Sequence, residues 1–146
     1  MIFSQVGPEP IDPSSVLARV GSDADGAVIL FLGTVRNHAE GRAVSGMTYE
    51  AYTSMADGVL SEIAREAGER FGTDRLAVVH RTGELTLGEV SVAIAVSTPH
   101  RAESYDASRY VIEEIKKRLP VWKHEHFVDG RSDWVAGQVP SVSPGS

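Results

Sequence analysis

The chain is 146 residues long, with 42% hydrophobic and 23% charged residues, enough for one domain with its own core, and no apolar run reaches the length of a bilayer span. With 14 basic against 20 acidic residues the formal net charge is -6, which excludes a broad non-specific grip on nucleic acid while leaving room for a local anion pocket. Cysteine is absent, so disulfides, thiolate nucleophiles and cysteine-ligated metal or redox centres are excluded together.

Met1 to Pro10 carries neither a basic n-region nor a cleavage site after an apolar core, and a cytoplasmic location is expected. Asp12-Pro13-Ser14-Ser15 before VLARV predicts a short helix with Asp12 as N-cap and Pro13 in its first turn. GSDADG, Gly21 to Gly26, is a turn. The β-branched run AVILFLGTV, Ala27 to Val35, predicts a central strand buried on both faces, and the polar stretch Arg36 to Gly46 a loop. Met47 to Tyr52 alternates like a strand, and a helix is expected from Ser54 to Phe71, with Met55, Val59, Ile63 and Ala67 inward and Gly72 ending it.

Arg75–Gly83 and Glu89–Pro99 predict two more strands joined by a glycine-bounded turn. A long helix from Arg101 to Leu119 is stopped by Pro120. VWKHEHF and SDWV then read as short strands around Asp129-Gly130, and the tail 136–146 as disordered. Strands and helices mix without regular βαβ alternation. The expected fold class is therefore α+β, a single-domain sandwich with a mainly antiparallel sheet and packed helices, with a doubly wound parallel sheet as second choice.

All three lysines lie within KKRLPVWKHEHF, and every other basic residue is arginine. On the long helix Tyr105, Ser108, Ile112, Ile115 and Leu119 recur at spacings of three and four and predict the buried stripe. Lys117 points away from that stripe and stands four after Glu113, as Arg118 stands four after Glu114, so both are expected on the solvated face. Lys116 lies on the stripe's border, where partial desolvation lowers an ammonium pKa, as a catalytic lysine requires; a lysine whose stem merely covers apolar surface is the competing reading. Past Pro120, alternation puts Val121, Lys123 and Glu125 on one strand face and Trp122 and His124 on the other.

Two basic clusters follow predicted strands, Arg36-Asn37-His38 and His100-Arg101, and strand ends and helix N-termini are places where anions gather; ordinary loop polarity is the plainer alternative. His80 and His126 are expected to be structural, and no His/Asp/Glu spacing marks a metal site.

FLGTVRNH (Phe31–His38), STPHR (Ser97–Arg101) and KKRLPVWKHE (Lys116–Glu125), in that order, resemble the signature segments of the large, catalytic subunit of molybdopterin synthase. The most specific is a lysine followed seven residues later by the lysine of Pro-x-Trp-Lys, here Lys116 and Lys123. The resemblance implies an α/β hammerhead fold, a homodimer of large subunits, and a small ubiquitin-like partner with a C-terminal Gly-Gly thiocarboxylate. It implies sulfur transfer to cyclic pyranopterin monophosphate, giving molybdopterin, with no cofactor of the protein's own. Carried over by position, Lys116 and Lys123 resemble the catalytic lysines, and Arg36, His100 and Arg101 the substrate contacts, with Thr34, Val35, His124 and Glu125 lining the same pocket. The chain departs from the family pattern in a slightly longer segment between Lys123 and Trp134 and in lacking an arginine after Trp134, a gap that Arg131 is a candidate to fill. A non-catalytic α+β module holding a phosphorylated metabolite or nucleotide, indifferent to Lys116, is the alternative.

Overall fold

The computed structural model describes residues 1–135; the segment 136–146, expected to be disordered, lies outside the described residues. In chain order the elements are β1 (Ile2–Gly7), α1 (Pro13–Leu17), β2 (Ala27–Thr34), β3 (His38–Ala39), β4 (Arg42–Ala51), α2 (Thr53–Phe71), β5 (Leu76–Arg81), β6 (Gly83–Thr86), β7 (Val90–Thr98), α3 (Arg101–Arg118), β8 (Val121–Phe127) and β9 (Ser132–Val135). One sheet runs β1-β5-β7-β2, with β1 parallel to β5 and the remaining pairs antiparallel. In the other, β4 is flanked by β6 and β8, β9 follows β8, and β3 folds back on the start of β4, all antiparallel. The architecture is the expected α+β sandwich with a mainly antiparallel sheet. Among the described residues no helix is long and apolar enough to cross a membrane.

Local chemistry sets the helix ends. Asp12 accepts a hydrogen bond from the Ser14 amide at 3.0 Å and Pro13 fills the first turn of α1. Gly72 closes α2 at φ 71°, a left-handed conformation that costs glycine nothing, and returns its N–H to the Gly68 carbonyl. Leu119 leaves α3 in an extended conformation because Pro120 behind it disfavours the helical region.

The core lies where α2 and α3 cover one face of the first sheet. Leu60, Ile63 and Ala67 of α2 and Ala107, Val111 and Ile115 of α3 pack on Leu76, Val78, Val92, Ile94 and Val96. The opposite face of β5 and β7 presents Ala77, Ala93 and Ala95, small enough for the five-residue α1 to sit close with Val16. Period-two alternation thus divides β7 between two layers, bulky side chains toward two helices and alanines toward one. Two ion-pair clusters fasten the layers. Arg118 reaches Glu62 at 2.8 Å, Glu66 at 2.6 Å and Glu114 at 3.1 Å, tying α3 to α2. Asp25, fully enclosed, is gripped by Arg75 and accepts a hydrogen bond from the Ser97 hydroxyl at 2.7 Å.

Several expectations are corrected. The run Ala27–Val35 is not a central strand: β2 is the sheet edge, and Val28, Phe31 and Leu32 are exposed. The strand buried on both faces is β7, whose serines, threonine and alanines made it look less like a core strand. The segment Arg36–Gly46 is not all loop, since β3 and the start of β4 form a hairpin there. The turn between β5 and β7 contains β6, and the unassigned N-terminus forms β1. Met55 of α2 and Tyr105 of α3 are exposed, because each helix is rotated so that Ala56 and Leu60, and Ser104 and Ala107, face inward. Arg118 is the half-buried clamp between α2 and α3 rather than a solvated residue, and Lys117 pairs with Glu114 rather than Glu113.

Candidate active site

A cavity of about 420 Å³ opens between the two sheets at the C-terminal end of α3. Each of its walls comes from a distinct piece of sequence. The end of β2 contributes Thr34, Val35 and Arg36; α3 contributes Ile112, Ile115 and Lys116; β8 contributes Val121, Lys123 and Glu125; and Met47, Tyr49, His80 and Ser91 form the inner surface.

The end of β2 enters the cavity because its register against β7 shifts between Gly33 and Thr34. Gly33 permits this approach: a Cβ there would stand 2.7 Å from Val92 Cγ1. Val35 is then pinned in both directions, its N–H to the Glu89 carbonyl at 3.0 Å and its carbonyl accepting from the Gly88 N–H at 2.8 Å. Arg36 is thereby placed at the cavity by backbone that cannot drift. Lys116 lies in the last turn of α3, and Lys123 follows after the chain turns at Pro120 and pairs β8 with β4, Tyr49 opposite Lys123. The alternation expected for β8 holds, with Val121, Lys123 and Glu125 all toward the cavity.

Lys116 stays open to solvent at the cavity, yet its pKa is lowered, first by desolvation and then by the positive charges of Lys123 and Arg36. Among the described residues no carboxylate forms a salt bridge with Lys116, Lys123 or Arg36, whereas Arg75, Arg81 and Arg118 each have at least one such partner. Three cations share the wall with a single carboxylate, Glu125, that pairs with none of them, so they oppose one another and an anionic ligand relieves that opposition. The arrangement therefore suits an anion held by fixed charge beside an amine that gives up its proton more readily than a free lysine.

Six of the nine site residues expected from sequence line this cavity: Thr34, Val35, Arg36, Lys116, Lys123 and Glu125. His124 does not. It faces the other side of β8, stacked on Trp134 with ring centroids 4.3 Å apart. His100 and Arg101 are also elsewhere, exposed where β7 passes into α3. That is the opposite end of both elements, about 22 Å along α3 from Lys116 by helical rise. Arg131 pairs with Asp129 at 3.6 Å and is not in the cavity wall. Sequence reasoning missed Tyr49 and His80 as cavity residues, and set His80 aside as structural. His80 is 4% exposed, and burial, followed by the nearby Lys116 charge, pushes its pKa down to about 4. The available signal was a histidine in an otherwise apolar strand. His126 has the structural place expected of it, its Nε2 2.7 Å from the Thr48 hydroxyl. No metal-binding cluster of His, Asp and Glu occurs among the described residues.

Residues 6–118 match the family model described as MoaE protein. A molybdopterin synthase catalytic subunit from Halalkalibacterium halodurans is 46% identical over 135 residues, covering 92% of this chain and 86% of that protein. Among solved structures, the X-ray crystal structure of molybdopterin synthase from Staphylococcus aureus superposes with a TM-score of 0.84 at 37% identity, covering 90% of this chain and 96% of that one. A chain from the protein-protein complex of subunits 1 and 2 of molybdopterin-converting factor from Helicobacter pylori shares the fold, with a TM-score of 0.69 at 16% identity over 99% of this chain and 97% of its own. A family match over most of the length, a curated relative 46% identical over 92% of the chain and a shared fold make this chain a member of the MoaE protein family.

Proposed function

We propose that this chain is the catalytic subunit of a molybdopterin synthase and converts cyclic pyranopterin monophosphate to molybdopterin with sulfur supplied by the C-terminal thiocarboxylate of a small partner subunit. The observation that carries this is the convergence of Lys116, Lys123 and Arg36, none of them in a salt bridge among the described residues, on one cavity large enough for a bicyclic or tricyclic ligand. Arg36 and Lys123 hold anionic groups, the substrate phosphate or the incoming thiocarboxylate. Lys116, its pKa lowered, exchanges protons as oxygen leaves carbon and sulfur takes its place. Each transfer leaves the donor terminus a plain carboxylate, so two thiocarboxylates are consumed per dithiolene. The absence of cysteine fits a sulfur atom that arrives on another protein, since no persulfide can form on this chain.

His100 and Arg101 do not reach this cavity within one chain, so their proposed contact with substrate requires a second copy. In the homodimer implied by the family, one subunit's β7–α3 junction would complete its partner's cavity. A mixed dimer of Lys116→Ala and Arg101→Ala subunits then regains one intact site of two and about half the wild-type activity per dimer. Activity no greater than that of the separate variants removes these two residues from the site. A cytoplasmic location accompanies the proposal, as the place where a thiocarboxylated partner and a labile pterin would meet.

The deciding experiment supplies the chain and the pterin precursor with thiocarboxylated partner, unmodified partner, or inorganic sulfide at matched low concentration, and measures dithiolene product. Product from the thiocarboxylate alone is expected. Efficient product without any partner would overturn the sulfur route.

A further inference from the structure

His80 is a buried titratable group that the proposed chemistry leaves unused. It lies within β5, paired to Val6 of β1 on one side and Val92 of β7 on the other, where an apolar side chain would be the ordinary occupant. Burying an imidazole among such neighbours is costly unless its two nitrogens have work to do. Nδ1 lies 3.0 Å from the Arg81 carbonyl oxygen, so in the neutral ring Nδ1 carries the hydrogen and donates it. Nε2 is then an acceptor, and no partner for it occurs among the described residues. Nor is it an atom sealed inside the protein without a partner, so solvent reaches it, and the ring lines the cavity.

The surroundings fix the ring and keep it uncharged. Tyr49 of β4 stands edge to face with it, centroids 5.3 Å apart and planes at 78°. Ser91 of β7, which also lines the cavity, donates its hydroxyl to the Gly33 carbonyl at 3.2 Å, so that donor is occupied. Lys116 of α3 contributes a positive charge nearby, and with burial this holds the imidazole pKa near 4, leaving it neutral at physiological pH. The cavity mouth supplies donors in Lys116, Lys123 and Arg36; among the described residues Glu125 is the only carboxylate in its wall. A ligand that presents N–H groups as well as a phosphate needs an acceptor of the kind Nε2 provides.

We infer that His80 is a specificity-determining residue whose Nε2 accepts a hydrogen bond from a ring N–H or amino group of the bound heterocycle while the cations at the mouth hold the phosphate. This rests on the proposal that the cavity takes a pterin. The division of labour follows from the chemistry of the groups: guanidinium and ammonium only donate, and a neutral imidazole tied down at Nδ1 only accepts at Nε2. Size and charge would admit many phosphorylated metabolites, but a fixed acceptor against the inner wall rejects rings that place an acceptor or a C–H there.

Two variants separate the nitrogens. His80→Asn keeps an amide group near Nδ1 for the Arg81 carbonyl and loses the acceptor, whereas His80→Gln places its amide oxygen near Nε2. Binding is measured by calorimetry with two probes, cyclic pyranopterin monophosphate and inorganic phosphate. The expected result is that Asn weakens pterin binding by about 5–10-fold, the worth of one neutral hydrogen bond, with Gln weakening it much less and neither altering phosphate binding. Equal pterin affinity in the wild type and the Asn variant, or equal losses for both probes, overturns the inference while leaving the proposed function standing. A wild-type protein that binds phosphate but no pterin overturns both. Nitrogen NMR of the wild type labelled at histidine provides a readout independent of variant folding. The unprotonated His80 Nε2 signal should shift when pterin binds and stay in place when inorganic phosphate binds; a shift with neither ligand, or the same shift with both, counts against the assignment.

Discussion

Lys117 holds Glu114 at 3.5 Å on the solvent side of α3, while its neighbour Lys116 lines the cavity with a lowered pKa and no carboxylate partner among the described residues. One helical step of about 100° separates an ordinary surface ion pair from an amine suited to proton exchange. Replacing Lys116 by alanine should cut turnover at least about 100-fold, the usual worth of a positioned acid or base, and arginine should not rescue it because a guanidinium keeps its proton. Lys117→Ala should stay within about twofold of wild type, since an exposed pair contributes at most about 1 kcal/mol. Steady-state rates together with melting temperatures check this, and equal losses in the two alanine variants would remove Lys116 from the chemistry. The border position of Lys116 was legible from periodicity: of the expected stripe Ser108, Ile115 and Leu119 are buried and Ile112 packs on the core, and only Tyr105 fails, 63% exposed where Ser104 is enclosed. Ile112 and Ile115 were placed correctly, and they flank Lys116 in the cavity. His80 was not legible in the same way. A histidine in an apolar strand becomes a cavity residue only when β4, β7 and α3 meet around it, and strand periodicity does not encode that meeting.

At the level of elements, apolar content misidentified the central strand. AVILFLGT is richer in large aliphatic and aromatic residues than VSVAIAVST, yet the latter is enclosed on both faces and the former is an edge. Burial on both faces selects for fit: α1 lies against β7 because Ala93 and Ala95 leave room, so small residues there signal two-sided packing. The edge position of β2 also frees its end to bend into the cavity at the Gly33–Thr34 register shift. Gly33→Ala should therefore be costly out of proportion to one methyl group. The new Cβ meets Val92 Cγ1 at 2.7 Å, and relief must come from moving either β2, which carries Arg36, or a core valine. A loss of about 1–3 kcal/mol in urea unfolding is expected, with lower activity in the molecules that fold. Val92→Ala should recover part of that loss in a double-mutant cycle. Strict additivity of the two substitutions would mean that Gly33 does not make a close approach.

For the whole molecule, two enclosed groups on opposite sides of the first sheet set the response to acid, in two stages. Asp25 is held to a pKa of about 2 by its Arg75 hydrogen bonds above all, against 3.8 for the free carboxyl. Its contribution is complete above the unfolded value and is lost as pH falls from about 4 toward 2. His80 acts earlier. Its folded pKa is near 4, against 6.5 when unfolded, so between those values the unfolded chain binds a proton that the folded chain refuses. Stability linked to His80 is therefore intact above about pH 6.5 and drains away as pH drops to about 4, by about 3 kcal/mol in total and about 2 kcal/mol between pH 7 and pH 5. The protein should thus begin to weaken well above the carboxylate range, with tens of ordinary surface charges contributing little to the slope. Urea unfolding of the wild type and His80→Gln at pH 7 and pH 5 isolates this effect, because glutamine cannot titrate and the other ionisable groups are common to both. The wild type should lose about 2 kcal/mol more than the variant over that interval. Parallel losses would mean that the imidazole is protonated as easily in the folded protein as in the unfolded chain, and that the inner wall of the cavity is not the uncharged surface its burial implies.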